Sequence, residues 1–465
     1  MTRANDLAGY FIVAMVALSP IPFGSNRPFF WALSGTLVGL AAMTYFAVAI
    51  LRDAPLRVPL RQVRAYAALW LALAVWLCLQ ALPLGAIFGS FEFKLPDGST
   101  VLSDSLSLAP GSTWLMLVRM TSYALIFVLA LQAGAKSSRA RWLLIAIFWA
   151  IVLHAAFSLL QLTQLGDTIL GFPKDSYLGV ATGTFVNRNS FATFLAMGLS
   201  IGVSLLPGIV WSPLARNQSR ADAVFRVAFY GAGLFVIVLA MLATESRMGL
   251  FAGAMGGFVV TLLVLRWLPR ALIFIPAAIA VALTLSVVAI WVFGQGLLER
   301  VLDLGGATTG RLDLYQQVLV MIAQRPWLGY GGGAFELTYP SFFGPPLTLT
   351  LLYNKAHSTY LTLISELGLV GALLPILIFV LLLLRLVWKQ LTVSEFNSPR
   401  LAAIGAIVVS AIHSTVDFSL EIQANAYLLV VLVGIGLASS LNVVSKRVSR
   451  QTSTTSVTRQ EMPVA

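Results

Sequence analysis

The chain has 465 residues, of which 58% are apolar and only 10% are charged. A typical soluble domain carries about 25% charged residues, and one water-soluble core could not bury this much apolar surface. The single cysteine, Cys78, excludes a disulfide framework and a thiolate metal cluster. The three histidines argue against an imidazole-bound zinc or iron site.

Apolar stretches separated by short polar breaks recur along the whole chain. Each is about 17–25 residues long, enough for a helix to cross roughly 30 Å of hydrocarbon. The sequence therefore predicts an all-α, polytopic integral membrane protein with about 12 transmembrane helices. The predicted spans cover residues 7–23, 29–51, 65–83, 113–134, 143–164, 190–211, 227–243, 250–267, 271–293, 358–384, 401–416 and 426–444. The first span runs into Ser19-Pro20-Ile21-Pro22 without a small-x-small cleavage site, so we predict an anchor instead of a removable signal peptide.

The basic residues predict the orientation, because cytoplasmic loops carry an excess of Lys and Arg. With the N-terminus inside, 20 of the 30 basic residues fall in seven alternating cytoplasmic segments. Both termini are then cytoplasmic. The formal charge of +12 is thereby explained as a topology signal, which excludes nucleic acid as a partner.

The other ten basic residues fall on the predicted outer side. Arg119 lies about a turn and a half into the fourth span, where a charge must find a partner or snorkel. Arg27, Lys94 and Lys174 lie in polar loops, whereas six residues lie where outer loops meet helix ends: Arg188, Arg247, Arg300, Arg311, Arg325 and Lys355. Guanidinium groups at a membrane surface are suited to bidentate capture of phosphate. These arginines predict a site for a lipid-linked diphosphate, and simple loop solvation is the alternative.

One sizeable hydrophilic insertion is predicted, a periplasmic loop over about residues 294–357 that begins with a glycine-rich stretch at 305–310. Leu312, Tyr315, Leu319 and Ile322 then recur at helical spacing. They predict an amphipathic helix on the membrane surface, which Arg325-Pro326-Trp327 ends. The later cluster Gly329-Tyr330-Gly331-Gly332-Gly333 lacks a preceding strand and the GxGxxG spacing, so it predicts a tight turn and not a nucleotide site.

His357 is the candidate catalytic residue, because it stands at the outer start of a span. An imidazole near its ordinary pKa accepts a proton from a hydroxyl at neutral pH; a purely structural role is the alternative. His154 lies in mid-span and is predicted to be a hydrogen-bonded packing residue. His413 lies one helical turn before Asp417, which predicts a pair that supports the structure or assists the site indirectly.

Several segments, taken in order, resemble the signature region of the O-antigen ligase and polymerase superfamily. They are Gly310-Arg311-Leu312-Asp313, Arg325-Pro326-Trp327-Leu328-Gly329-Tyr330-Gly331, Asn354-Lys355-Ala356-His357-Ser358-Thr359-Tyr360-Leu361 and Glu366-Leu367-Gly368-Leu369-Val370-Gly371. The segments at 183–189 and 246–249 resemble upstream motifs of that family, and the segment at 413–418 resembles a downstream one. The resemblance covers about residues 180–435, and the earlier spans agree in topology only.

The resemblance implies an inverting, metal-independent glycosyltransferase with a GT-C-like, all-helical membrane fold and no cofactor. Such an enzyme of the bacterial inner membrane takes a glycan from an undecaprenyl diphosphate carrier on the periplasmic face. It joins the glycan to an acceptor hydroxyl, either on lipid A core sugar (a ligase) or on another lipid-linked glycan (a polymerase). Both reactions belong to cell-surface polysaccharide biosynthesis, of lipopolysaccharide or exopolysaccharide. The segment at 183–189 resembles the polymerases slightly more than the ligases.

The resemblance also assigns residues. It implies that Arg188, Arg247 and Arg311 bind the diphosphate, and that His357 acts at the acceptor as a general base or positioning group. Supporting roles are expected for Asn187, Asn189, Tyr360, His413 and Asp417. The chain departs from the family pattern at Ser190, where many relatives have histidine, which puts acceptor contacts from that loop in doubt.

We expect three regions: N-terminal transmembrane helices over 1–180, a catalytic membrane region over 181–440, and a disordered cytoplasmic tail over 441–465. A transporter or flippase of lipid-linked oligosaccharide is the competing class, since it also has many spans and intramembrane arginines. It predicts charged residues near mid-bilayer and pseudo-symmetric halves. The sequence has no internal repeat, and its acidic residues lie almost all in loops or at helix ends, which favours the enzyme.

Overall fold

The computed structural model describes residues 2–211, 220–265, 307–347, 353–393 and 395–441. These residues form long apolar helices and two short hairpins, as predicted for a helical membrane protein. The helices are α1 (Thr2–Leu18), α2 (Pro28–Leu51), α3 (Arg64–Ala81), α4 (Gly85–Phe88), α5 (Pro110–Gly134), α6 (Ser137–Thr163), α7 (Arg188–Trp211), α8 (Arg220–Ala243), α9 (Arg247–Leu265), α10 (Ala307–Gln324), α11 (Phe335–Thr338), α12 (Thr359–Thr392), α13 (Ser398–His413) and α14 (Gln423–Ala438). The antiparallel hairpins pair β1 (Phe91–Lys94) with β2 (Thr100–Ser103) and β3 (Thr168–Ile169) with β4 (Phe172–Pro173).

Eight of the described helices, α2, α3, α5 to α9 and α12, are long and apolar enough to cross a membrane, and α13 and α14 are apolar but shorter. The first helix, α1, ends at Leu18, earlier than the predicted span, because Pro20 disfavours helical backbone at the residue before it. The count of 12 spans and the GT-C class stay predictions. The predicted span at 271–293, the stretch at 294–306 and the tail at 442–465 lie outside the described residues.

Helix α7 stands at the centre of the bundle. Of the residues in its apolar stretch 83% are buried, against 17–44% in the other seven candidate spans. Glycines permit this close packing, as in other membrane bundles. A Cβ added at Gly198 of α7 would lie 2.5 Å from Ile151 of α6, and one at Gly405 of α13 would lie 2.7 Å from Ser200 of α7. The start of α7 is therefore surrounded by other helix ends.

We call the end of the bundle that contains the starts of α7, α9, α12 and α14 the upper end. Loops from distant parts of the chain are hydrogen-bonded there. The Thr184 hydroxyl donates to the Pro20 carbonyl over 2.7 Å, and the Asn425 amide donates to the Ser190 carbonyl over 2.9 Å. That the upper end faces the periplasm stays a prediction from the basic residues.

Helix α10 confirms the predicted helix, but it packs through a face that was not predicted. Leu314, Val318 and Met321 are fully buried against the segment at 330–347. Leu312 and Leu319, which belong to the predicted apolar face, are 55% and 54% exposed. The reason is that this helix carries two apolar stripes. The stripe of Leu314, Val318 and Met321 packs against the rest of the protein. Contact of the exposed leucines with the membrane surface stays a prediction.

The glycine cluster forms the predicted tight turn, with a φ of +108° at Gly331. The turn docks against a break in α12 at Gly368, where φ is +64°. The Gly331 N–H donates to the Glu366 carbonyl, and the Leu369 N–H donates to the Pro326 carbonyl, both over 2.8 Å. The break frees helical backbone groups, and the turn supplies their hydrogen-bond partners. The segments at 325–331 and 366–371, both of which belong to the family resemblance, are thus hydrogen-bonded to each other.

Candidate functional site

The start of α7 is fixed by the Asn187 side chain. Its oxygen accepts the N–H of Asn189 over 2.7 Å and that of the following residue over 3.3 Å, which is the geometry of a helix N-cap. Arg188 is thereby held as the first residue of the central helix. Its Nη1 lies 3.5 Å from Glu245 Oε2, and its guanidinium carbon lies 5.6 Å from the ring centre of Tyr177. The Arg188 side chain is about one third exposed, although its Nε is buried.

Helix α9 begins at Arg247 in the same way. The Ser246 hydroxyl accepts the Gly249 N–H over 3.2 Å and donates to Asn189 Oδ1 over 2.8 Å. This second bond joins the two upstream motifs directly and brings the N-termini of α7 and α9 together. Arg247 is exposed at this point. Because helix N-termini carry partial positive charge, two adjacent ones that each begin with arginine favour an anion between them, although Glu245 offsets part of the Arg188 charge.

Arg311 lies in the second turn of α10 and belongs to the same cluster. Burial raises the pKa of Tyr177, the Asp417 charge raises it further, and the guanidinium groups of Arg188 and Arg311 oppose both effects. Charges affect a pKa in this way only when they are close. Tyr177 therefore lies among two of the three predicted arginines and the predicted Asp417. It was not predicted, because one aromatic residue in a polar loop carries no distinguishing signal.

His357 directly precedes the N-cap of α12 and has a φ of +51°. Its ring packs edge-on against Phe418 with the ring centres 5.0 Å apart, and its carbonyl accepts the Tyr315 hydroxyl over 2.8 Å. Burial lowers the pKa of His357 to about 4, the Arg311 charge lowers it as well, and Glu421 opposes them. The expectation of an ordinary imidazole pKa was therefore wrong. The ring is neutral at physiological pH, and among the described residues its Nδ1 has no hydrogen-bond partner.

The predicted pair of His413 and Asp417 is present, with Nδ1 and Oδ2 3.8 Å apart and both side chains almost fully buried. The Ser419 hydroxyl lies between them; it donates to Asp417 Oδ2 and lies 3.3 Å from His413 Nδ1. Thr193 of α7 donates to the same hydroxyl over 3.0 Å. Burial raises the pKa of Asp417 to about 6, although the Ser419 hydrogen bond and the Arg311 charge lower it.

The turn that contains Asp417 also holds the start of α12. The Asp417 carbonyl accepts both the N–H and the hydroxyl of Thr359, each over 3.2 Å. The Tyr360 hydroxyl donates to the Ala411 carbonyl of α13 over 3.0 Å. Tyr360 and Asp417 thus hold the backbone next to His357 in place, and the supporting roles expected for them in the reaction stay predictions.

A cavity of about 570 Å³ borders the segment at 354–360, which contains His357, and Arg188, Arg247 and Arg311 do not line it. At its polar end Lys355 Nζ lies 2.9 Å from Glu421 Oε2, and Arg119 donates to the Glu421 carbonyl over 2.6 Å. Burial alone would lower the pKa of Lys355, but the charge and hydrogen bond of Glu421 raise it above its ordinary value. The sequence showed the two basic residues but not their acidic partner, which lies more than 60 residues from either.

Within the described ranges no group of three or more His, Cys, Asp or Glu side chains could hold a metal ion. Independence of metals and cofactors stays a prediction. Arg300 and the glycines at 305–306 lie outside the described residues.

Comparison with known proteins identifies part of this region. A family model described as O-antigen ligase matches residues 232–376. The match begins within α8 and ends within α12, so it includes Arg247, Arg311 and His357 but not Arg188 or Asp417. No curated protein matches the chain significantly.

Proposed function

We propose that this chain catalyses a glycan transfer reaction. The proposal rests on the O-antigen ligase domain at residues 232–376, which supports the O-antigen ligase/polymerase superfamily. The donor is a glycan on undecaprenyl diphosphate, and the acceptor is a sugar hydroxyl at the periplasmic face of the bacterial inner membrane. One observation carries the proposal: Tyr315, one helical turn after Arg311, donates to the His357 carbonyl over 2.8 Å, and the Arg311 charge also acts on Tyr177, which lies beside Arg188. Cations suited to a diphosphate and a neutral imidazole thus belong to one cluster.

The arginines bind the donor. Arg188 and Arg247 begin two helices, and the Ser246–Asn189 hydrogen bond brings the starts of these helices together. Helix N-termini and guanidinium forks both favour phosphate oxygens. As the glycosidic bond breaks, negative charge grows on the leaving diphosphate, and groups already fixed in place stabilise that charge without reorganisation.

His357 acts at the acceptor. The acceptor oxygen attacks the anomeric carbon, the bond from that carbon to the diphosphate oxygen breaks, and the acceptor proton passes to the imidazole. A histidine with a pKa of about 4 is a weak base in the free protein. A bound diphosphate offsets the Arg311 charge that lowers this pKa, so donor binding strengthens the base. Inversion at the anomeric carbon follows from a single displacement.

Two acceptors suit this chemistry. A ligase transfers the glycan to lipid A core, and a polymerase transfers it to a second lipid-linked glycan; the described geometry serves both. A flippase would move the lipid-linked glycan without forming a bond, and would require no proton acceptor beside the phosphate site.

Purified protein in lipid vesicles tests the proposal. With a lipid-linked glycan, an acceptor and a metal chelator, but without nucleotide, we expect a transferred or elongated product. His357→Ala and Arg247→Ala should abolish it, whereas Lys94→Ala, which removes one exposed positive charge from the same end, should not. Full activity of the first two variants would show that the mechanism is wrong.

A further inference from the structure

The cavity beside the His357 segment is amphipathic. Its lower wall consists of apolar side chains of membrane helices, among them Ile376 and Phe379 of α12 and Leu429 of α14. Val380 also lines the cavity although it is 45% exposed on the surface of the bundle. The cavity therefore opens sideways, at the level where a helix of this kind meets lipid chains.

The polar end of the cavity carries charges of both signs. The basic residues that line the cavity are Arg27, Arg119 and Lys355, and the acidic ones are Glu336, Glu366 and Glu421. The Lys355–Glu421 ion pair satisfies one carboxylate oxygen, while Glu421 Oε1 is buried without a hydrogen-bond partner in the described part of the chain. The three acidic side chains oppose a purely anionic head group, and the three basic ones oppose a purely cationic one. A head group with one cationic and one anionic part matches both sets of partners.

We propose that this cavity binds a zwitterionic phospholipid of the phosphatidylethanolamine type, independently of the glycan donor. Its phosphate pairs with Arg119 and Lys355, its ammonium group donates to Glu421, and its acyl chains lie along the wall formed by Ile376 and Phe379. The volume of about 570 Å³ is within the usual range for a ligand site and accommodates a head group with the first part of its chains. Lys355 lies two residues from His357, so the bound lipid also borders the catalytic segment.

Native mass spectrometry of the full chain in detergent, with defined phosphatidylethanolamine, phosphatidylcholine or phosphatidylglycerol, tests the proposal. We expect the wild-type protein to retain one phosphatidylethanolamine with about tenfold preference over phosphatidylglycerol, since one charged hydrogen bond gained or lost is of that size. Ile376→Trp places an indole in the cavity and should lower retention about tenfold. Leu377→Trp, at the next residue on a lipid-facing position, should leave it unchanged.

Glu421→Gln keeps the shape of the side chain and removes its negative charge. It should shift the preference toward phosphatidylglycerol, a result that does not depend on how well Ile376→Trp folds. Equal retention of all three lipids, or equal loss in Ile376→Trp and Leu377→Trp, would overturn the proposal, as would retention of a polyprenyl lipid alone. None of these measurements requires glycan transfer, so failure of the lipid site is distinguishable from failure of the proposed function.

Discussion

Ser246→Ala removes a hydroxyl that makes two hydrogen bonds where the two upstream motifs meet. One bond, to Asn189 Oδ1 over 2.8 Å, joins α7 to α9; the other, from the Gly249 N–H over 3.2 Å, caps α9. Each is worth about 1 kcal/mol. If these bonds align the arginines for the transition state, Ser246→Ala should cost about 2 kcal/mol and Asn189→Ala about 1 kcal/mol in kcat/KM for the donor.

The double variant distinguishes a shared bond from two unrelated effects. Because both single variants lose the same bond, the double variant should cost about 2 kcal/mol, leaving a coupling of about 1 kcal/mol, or about fivefold in kcat/KM. The measurement is donor kinetics in vesicles for the four proteins of the cycle. Thr36→Ala is the matched control, since its exposed hydroxyl bonds only to a carbonyl of its own helix. It should combine additively with Asn189→Ala, whereas additivity between Asn189→Ala and Ser246→Ala would show that the bond between these residues does not contribute to catalysis.

Three further predictions concern pH, the arginine fork and the turn. Since burial and Arg311 lower the pKa of His357 to about 4 and the base must be deprotonated, kcat/KM for the donor should stay flat down to about pH 5 and fall below it. Arg311→Gln removes a charge that lowers this pKa, so the acid limb should move to higher pH; an unmoved limb would exclude His357 as the titrating group. Arg188→Lys keeps the charge but loses the bidentate fork, so the donor KM should rise about tenfold with the acceptor KM unchanged, as measured by varying each substrate in turn. Gly368→Ala places a Cβ 2.1 Å from a backbone carbonyl oxygen at a φ of +64°, which should cost more than about 2 kcal/mol and lower the thermal unfolding midpoint in detergent. Gly39→Ala, where an added Cβ meets nothing within 4 Å, should not lower that midpoint.

The helices could be predicted closely because the length of an apolar run is set by the membrane. The span predicted at 29–51 is helix Pro28–Leu51, and the one predicted at 113–134 is Pro110–Gly134. Helix ends were less predictable where local chemistry decides them, as at Pro20. The sequence could also predict that the segments at 183–189 and 246–249 lie on the same side of the membrane, because the predicted spans alternate in direction. The Asn189–Ser246 hydrogen bond bears that out.

Other features depend on how far a side chain is buried and on which distant residues it contacts, and the sequence pattern shows neither. The two apolar stripes of α10 look alike in sequence, and only the packing of its neighbours buries the one at Leu314. The low pKa of His357 arises first from burial of its ring, which packs against Phe418, and then from the charge of Arg311. The Lys355–Glu421 ion pair joins residues far apart in the chain, and nothing local marks either residue as a partner of the other.

We propose that the arginines and His357 form one site for glycan transfer from a lipid diphosphate. It is tested most directly by following undecaprenyl diphosphate release and product glycan together, in vesicles with a chelator and no nucleotide. We predict one diphosphate released for each new linkage, and loss of both signals in His357→Ala. Glycan movement across the membrane without a new linkage, or full product formation by His357→Ala, would show that these residues do not catalyse transfer.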